Sequence, residues 1–224
     1  MLKLGIDDAG RGPVIGPMVL AGVLIDSELE EELREAGVKD SKLLKEEKRE
    51  ALAELIKERS LSYKIVVITA REIDGSINGG VNLNRIEAIK AGHIIDKINN
   101  ESLDNVVVFV DCPSRNLERW GKTMKTYIQN LENLDIRVEH EADKNHIAAG
   151  AASILAKSTR EKEVKKIKEK IGKDIGSGYP SDPITKKFLK EHVERYEEEG
   201  IFRETWMTWQ QAKEKKEQSS LGDY

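Results

Sequence analysis

Acidic side chains punctuate this chain where apolar runs stop, a spacing that suits the binding of a hard cation. The stretch from Leu4 to Pro17 reads LGIDDAGRGPVIGP. Leu4 and Ile6 suit a buried strand, Asp7 and Asp8 fall at its end, and Gly10, Gly12 and Gly16 let the following backbone approach a ligand closely. Two further runs end the same way, Val110 into Asp111 and Val138 into Glu139, Glu141 and then Asp143. If these strands are neighbours in a sheet, their acidic ends meet at one edge. Magnesium is held by oxygen ligands, keeps several waters and commonly takes a few carboxylates plus substrate phosphate. Two such ions about 4 Å apart activate a water on one side of a phosphodiester and stabilise the leaving oxygen on the other. Taken singly, Asp7-Asp8 is also a common turn, and Asp111 or Asp143 a common helix cap. The set is what points to chemistry.

Other chemistries find little support. Of the four histidines only His140 and His146 are close in sequence, with no cysteine partner, so a zinc site is poorly furnished. Neither a nucleophile elbow nor a matched Cys/His context is present. The single cysteine, Cys112, excludes an internal disulfide and reads as a small packing residue. With 224 residues and 38% hydrophobic content the chain can build one generous domain, or a core with a small appendage. There is no apolar run of membrane-spanning length and no cleavable leader ahead of Ile6, so a soluble cytoplasmic protein is expected. The formal charge of −4 argues against indiscriminate nucleic-acid binding by the whole molecule. The charges are segregated, however: Lys144 to Lys173 carries nine Lys or Arg against three Glu, a solvated helix face or a phosphate track.

These residues need elements to position them. Val14 to Ile25, Tyr63 to Thr69 and Val106 to Val110 have the β-branched character of strands in a covered sheet, and Ile136 to Glu141 adds a shorter one. Helical spacing runs over Lys45 to Arg59 and over Asn84 to Ile98, where His93 falls on the apolar face as a core-edge residue. Further helices are expected over Leu117 to Leu131, over the small-residue segment His146 to Ala156, and over Ile184 to Glu198, opened by Asp182-Pro183. Strands first, then strands alternating with helices, indicate a mixed sheet flanked by helices. GSGYPSDP from Gly176 is a loop, and the tail from Lys213 is too polar to build a core.

In these motifs the chain resembles one family closely, ribonuclease HII in its archaeal form. The matching blocks are GIDDAGRGPVIGP, VKDSKLL at Val38 to Leu44, VFVDCPSRN at Val108 to Asn116, EHEADKNHIAAGAASILAKSTRE at Glu139 to Glu161, and GSGYPSDPITKKFL at Gly176 to Leu189. The resemblance implies a ribonuclease H-like α/β core over 1–175, a mixed five-stranded sheet flanked by helices. A small helical C-terminal part over 176–212 would complete the substrate groove, and 213–224 would be a flexible tail. It implies an endoribonuclease that hydrolyses the RNA strand of RNA:DNA hybrids and cuts 5′ of ribonucleotides embedded in duplex DNA, leaving 3′-hydroxyl and 5′-phosphate ends. Two Mg²⁺ or Mn²⁺ ions would be held by Asp7, Asp8, Asp111 and Asp143. Gly10, Arg11 and Gly12 would read the ribose 2′-hydroxyl, the atom that distinguishes RNA from DNA. Tyr179 would complete that sensor by packing on the following sugar, and Ser41, Lys42, Lys144 and Asn145 would contact backbone phosphate.

One residue departs from the family's pattern, which has Glu directly after the first Asp. Asp8 is shorter by one methylene, and a ligand displaced by about 1 Å can cost orders of magnitude in rate. A weakly active hybrid- or junction-binding protein is therefore the alternative reading, and another nuclease or recombinase with a ribonuclease H-like core is a third. At the C-terminus, Gln218, Leu221 and Tyr224 follow the spacing of a sliding-clamp (PCNA) binding peptide, with one terminal aromatic where the usual motif has two. A monomer is expected, since no amphipathic surface is left over.

Overall fold

The computed structural model describes residues 1–38, 44–99 and 104–221. In chain order the elements are β1 (Leu2–Ala9), β2 (Met18–Ile25), α1 (Ser27–Glu35), α2 (Glu46–Arg59), β3 (Ser62–Ile68), α3 (Ala70–Asn78) and α4 (Leu83–Asn99). There follow β4 (Val106–Asp111), α5 (Leu117–Lys125), β5 (Leu134–Glu139), α6 (Ala142–Asn145), α7 (Ile147–Ile171), α8 (Pro183–His192) and α9 (Met207–Leu221). Two compact units share them. The first comprises Met1–Ala9, Val19–Val66 and Leu83–Thr159, and the second Gly10–Met18, Val67–Asn82 and Arg160–Tyr224.

The strands form one five-stranded sheet in the order β3-β2-β1-β4-β5. β1 runs antiparallel to β2 and parallel to β4, and β4 is parallel to β5, so the sheet is mixed as expected. Every residue of β2, MVLAGVLI, is buried, which fits a strand covered on both faces. Gly5 in β1 is a point of close approach: a Cβ there would fall on the backbone of Ala148 and Ala149 at the start of α7. The parallel register pairs Ile6 with Val110 and Asp111 with Glu139, which brings the acidic ends of β1, β4 and β5 to the same edge.

In the second unit, Val14, Ile15, Val164, Ile175, Phe188 and Phe202 anchor a separate core, with Trp206 and Trp209 packed against it. The capping box of Thr69 and Glu72 starts α3. Asp74 then accepts bonds from the amides of Glu204 and Thr205 at 2.7 and 3.1 Å, tying that helix to the segment before α9.

Several boundaries differ from those the sequence suggests. The strand begins at Met18 and not at Val14, because Gly16 at φ +89 turns the backbone, leaving Ile15 in a lone bridge with Phe202. α5 stops at Lys125, where Thr126 Oγ1 donates to the Thr123 carbonyl at 2.7 Å and competes with the helical ladder. α7 runs on to Ile171 through strong helix formers, well past Ala156. α8 ends at His192, and a 3₁₀ turn, Glu197–Glu199, closes on Gly200 at φ +67. α9 extends to Leu221, so the backbone from Lys213 is helical where composition suggests a flexible tail. His93 is exposed, meeting Tyr127 edge-on at 5.3 Å between ring centres, and does not sit at the core edge. The division into units also differs from a cut at residue 175, since Gly10–Met18 belongs with the C-terminal residues.

Candidate active site

Asp7, Asp8 and Asp111 lie within electrostatic reach of one another at the ends of β1 and β4. Asp7 is buried, and its carboxyl is pushed well above the usual carboxylate range, chiefly by desolvation and then by the negative charges of Asp8 and Asp111. The Ser153 side chain and the Asp8 amide, which donates to Asp7 Oδ1 at 2.7 Å, pull in the opposite direction without cancelling the rise. Like charges gathered in this way favour an ion that can offset them.

The chain then turns sharply ahead of Asp143. Glu141 adopts φ +58, a left-handed conformation that costs a residue with a Cβ on the order of 1 kcal/mol. That turn lets the Ala142 amide donate to Asp111 Oδ1 at 2.9 Å and places Asp143, buried, in the first turn of α6. Asp143 and Asp111 both act electrostatically on the Lys144 ammonium, whose pKa is raised first by its bond to Glu141. Lys144 and Asn145 are exposed. Among the described residues, no group of three or more His, Cys, Asp or Glu side chains is arranged to hold a metal ion. The donors are nonetheless all carboxylate oxygens, the class that magnesium and manganese take alongside water and substrate oxygens. Charge and donor type both fit such an ion.

Beside these acids lies a cluster that the sequence patterns do not reveal. His146 pairs with Glu139, the residue in register with Asp111, and its ring stacks on Phe109 at 3.6 Å between centres. Arg137 covers the same Phe109 ring at 5.6 Å. The only sequence hint is the proximity of His146 to the acidic strand end.

The second unit holds the glycine loop and Tyr179. Gly10 has φ +83, and a Cβ there would strike the Arg160 side chain and come within 2.8 Å of the Pro17 carbonyl. Gly12 is exposed, and its nearest neighbour is the Tyr179 ring, 3.5 Å from where a Cβ would sit. Tyr179 is 38% exposed and stacks under the Arg160 guanidinium at 5.0 Å. Arg203, wholly buried, donates from Nη2, Nη1 and Nε to the carbonyls of Gly10, Arg11 and Gly16 at 2.6, 2.8 and 3.0 Å. Sequence reasoning missed Arg203, because an isolated arginine in a tail segment carries no local pattern. It assigned Arg160 only to a general basic face. Ser41, Lys42 and Tyr224 lie outside the described residues, whereas Gln218 is exposed on α9 and Leu221 ends that helix.

The model of the family described as Ribonuclease HII matches residues 4–209 of this chain. The chain belongs to the ribonuclease HII family. A ribonuclease HII from Thermococcus sibiricus is 41% identical over 229 residues, covering 98% of this chain and 97% of the relative. Among solved structures, the ribonuclease H2 from Pyrococcus horikoshii OT3 superimposes with a TM-score of 0.83 at 36% identity, covering 96% of this chain and 98% of the other. The RNase HII of a PCNA:RNase HII complex from Archaeoglobus fulgidus gives a TM-score of 0.80 at 36% identity, covering 93% and 94%. As a member of the ribonuclease HII family the chain is a metal-dependent ribonuclease H, and its mixed sheet is the ribonuclease H-like fold. No helix among its described residues is long and apolar enough to cross a membrane.

Proposed function

We propose that this chain is a cytoplasmic, monomeric endonuclease that hydrolyses the RNA strand of RNA:DNA hybrids and cuts 5′ of single ribonucleotides in duplex DNA. The observation that carries the reading is the gathering of Asp7, Asp8 and Asp111, where burial and mutual repulsion raise the Asp7 carboxyl. Asp7, Asp8, Asp111 and Asp143 are the residues that hold Mg²⁺ or Mn²⁺. Divalent ions bound there would supply a lowered pKa for a water and positive charge to offset that developing on a scissile phosphate. The Ala142 amide donates to Asp111 Oδ1 at 2.9 Å and so orients that carboxylate. Gly12, whose Cβ side meets the Tyr179 ring at ordinary contact distance, and the half-exposed Tyr179 ring receive the ribose and its 2′-hydroxyl. Lys144 and Asn145, both exposed, with Ser41 and Lys42, contact the phosphate backbone.

The shorter Asp8 side chain favours one competing reading, a junction-binding protein with weak cleavage. A duplex carrying a single ribonucleotide, incubated with Mg²⁺ or Mn²⁺, decides between them: cutting yields a 3′-hydroxyl and a 5′-phosphate at that position and stops when the ion is chelated. Binding without cutting in either ion supports the competing reading, and equal cutting of an all-DNA duplex ends both. We also propose that Gln218, Leu221 and Tyr224 engage a sliding clamp, as the complexed Archaeoglobus protein engages PCNA. Removing 218–224 then abolishes clamp pull-down and leaves cleavage of short duplexes intact; pull-down that survives the deletion refutes this role.

A further inference from the structure

Gly10 and Gly12 have no side chains with which to hold the start of their loop in one shape, and glycine carries the largest entropic cost of being ordered. Something else must fix it. Arg203 is placed to do so: its three nitrogens reach the carbonyls of Gly10, Arg11 and Gly16, and its guanidinium lies over the Trp206 ring at 4.9 Å. The guanidinium is a rigid planar fork, so three carbonyls bound to it are fixed in direction as well as distance. The peptide unit is planar and trans, and its N–H points opposite to its carbonyl. Committing the Gly10 and Arg11 carbonyls to Arg203 therefore aims the amides of Arg11 and Gly12 away from that buried cation.

Arg160 acts on the other half of the same unit. It is 8% exposed, donates from Nη2 to the Ser177 carbonyl at 2.9 Å, and presents its plane to the Tyr179 ring. Its Cδ and Nε occupy the space that a Cβ on Gly10 would need. Gly178, at φ +82, accepts the amide of Val14 at 2.8 Å and closes the link between the two loops. Burial draws the Arg160 guanidinium below its ordinary pKa, with Tyr179 and Glu161 acting against that.

We infer that Arg203 and Arg160 are positioning residues for ribose recognition, Arg203 by aiming the amides of Arg11 and Gly12, and Arg160 by setting the Tyr179 ring against Gly12. Neither touches the substrate. The inference rests on the reading above that this loop senses a 2′-hydroxyl.

Two measurements test it. The first is kcat/KM on a duplex with one ribonucleotide, for Arg160→Met, Tyr179→Ala and the double variant. Arg160→Met alone is expected to lower kcat/KM by tenfold or more, within the roughly 10²-fold that a misplaced contact costs, and by less than about twofold when Tyr179 is already Ala. Losses that multiply overturn the role of Arg160. The second is amide hydrogen exchange in the substrate-free protein: Arg203→Met should accelerate exchange at Arg11 and Gly12 while kcat/KM falls about 10²-fold. Arg203→Lys should not restore either, because one ammonium cannot reproduce the fork. Lost cleavage with unchanged exchange at those amides overturns the role of Arg203. If Arg203→Met does not fold, the Arg160–Tyr179 cycle, which leaves Arg203 intact, decides. Wild-type protein that ignores the 2′-hydroxyl while Arg203→Met still accelerates exchange refutes the ribose reading and leaves the aiming of the amides standing.

Discussion

The carboxylate edge and the glycine loop solve opposite electrostatic problems. At the edge, Asp7, Asp8 and Asp111 are held close enough to repel, and burial first, then that repulsion, raises the Asp7 carboxyl. In the loop, carbonyls with no net charge are bound by a buried cation, and Arg203 leaves the Gly10, Arg11 and Gly16 carbonyls little freedom. One region concentrates negative charge, and the other commits its polar groups to rigidity. Chemistry on a phosphodiester calls for the first, and telling one hydroxyl from a hydrogen calls for the second.

Substitutions that cross this contrast test it, the largest effect first. Asp111→Asn removes charge from the edge without changing its shape, and cleavage is expected to fall on the order of 10³-fold. Duplex binding should survive, as measured by gel shift beside single-turnover rates. Undiminished cutting removes Asp111 from the metal set.

Gly12→Ala and Gly10→Ala separate recognition from rigidity. A Cβ at Gly12 meets only the Tyr179 ring at ordinary contact distance, so thermal stability should stay within about 0.5 kcal/mol. Cleavage at a ribonucleotide should nonetheless fall about 10²-fold, because the ribose loses its approach. Gly10→Ala forces a Cβ onto a φ of +83 and into Arg160, and is expected to cost about 1–3 kcal/mol in denaturant unfolding. If both variants melt like wild type, the loop is less constrained than its arginines imply.

Asp8→Glu lengthens one carboxylate of the edge and should raise turnover severalfold, or shift the preference between Mg²⁺ and Mn²⁺, within the roughly 10²-fold range of a 1 Å displacement. Identical kinetics in both ions for the two forms remove Asp8 from direct ligation.

The smallest effect belongs to the loop that carries Tyr179. Asp182 accepts from the amides of Ser177 and Ile184 and from Ser177 Oγ, at 2.6, 2.9 and 2.7 Å, and these bonds lower its carboxyl to about 2. A carboxyl depressed on folding contributes stability above its unfolded value of 3.8, and that contribution disappears as pH falls toward about 2. Asp182→Ala should therefore cost about 1 kcal/mol at neutral pH, the usual worth of a helix cap. The gap to wild type should narrow below pH 4, as followed by thermal unfolding across pH; a gap that does not change with pH rules out this cap as the source.

The acidic strand ends were legible because they follow a rule of the chain itself: an apolar run stops, and a carboxylate follows. Asp7 and Asp111 needed only parallel neighbours to meet, and the register of β1 with β4 supplies them. The mixed sheet was legible for the same reason. Arg203 was not, since its meaning lies in carbonyls 187 to 193 residues away in sequence. Nor was the true length of α7, because in the Lys- and Glu-rich turns after Ala156 only Val164, Ile167 and Ile171 mark its apolar face. His146 with Glu139 was invisible because stacking on Phe109 leaves no mark on local spacing.

The long span between Gly10 and Arg203 also has a consequence for birth at the ribosome. The loop is among the first segments synthesised, and the residue that fixes it is among the last. At about 5–20 residues per second, on the order of ten seconds or more pass before the two can meet. Until Arg203 emerges, the nascent loop lacks its anchor, so a chain that terminates early carries the carboxylate edge while the glycine loop stays unfastened.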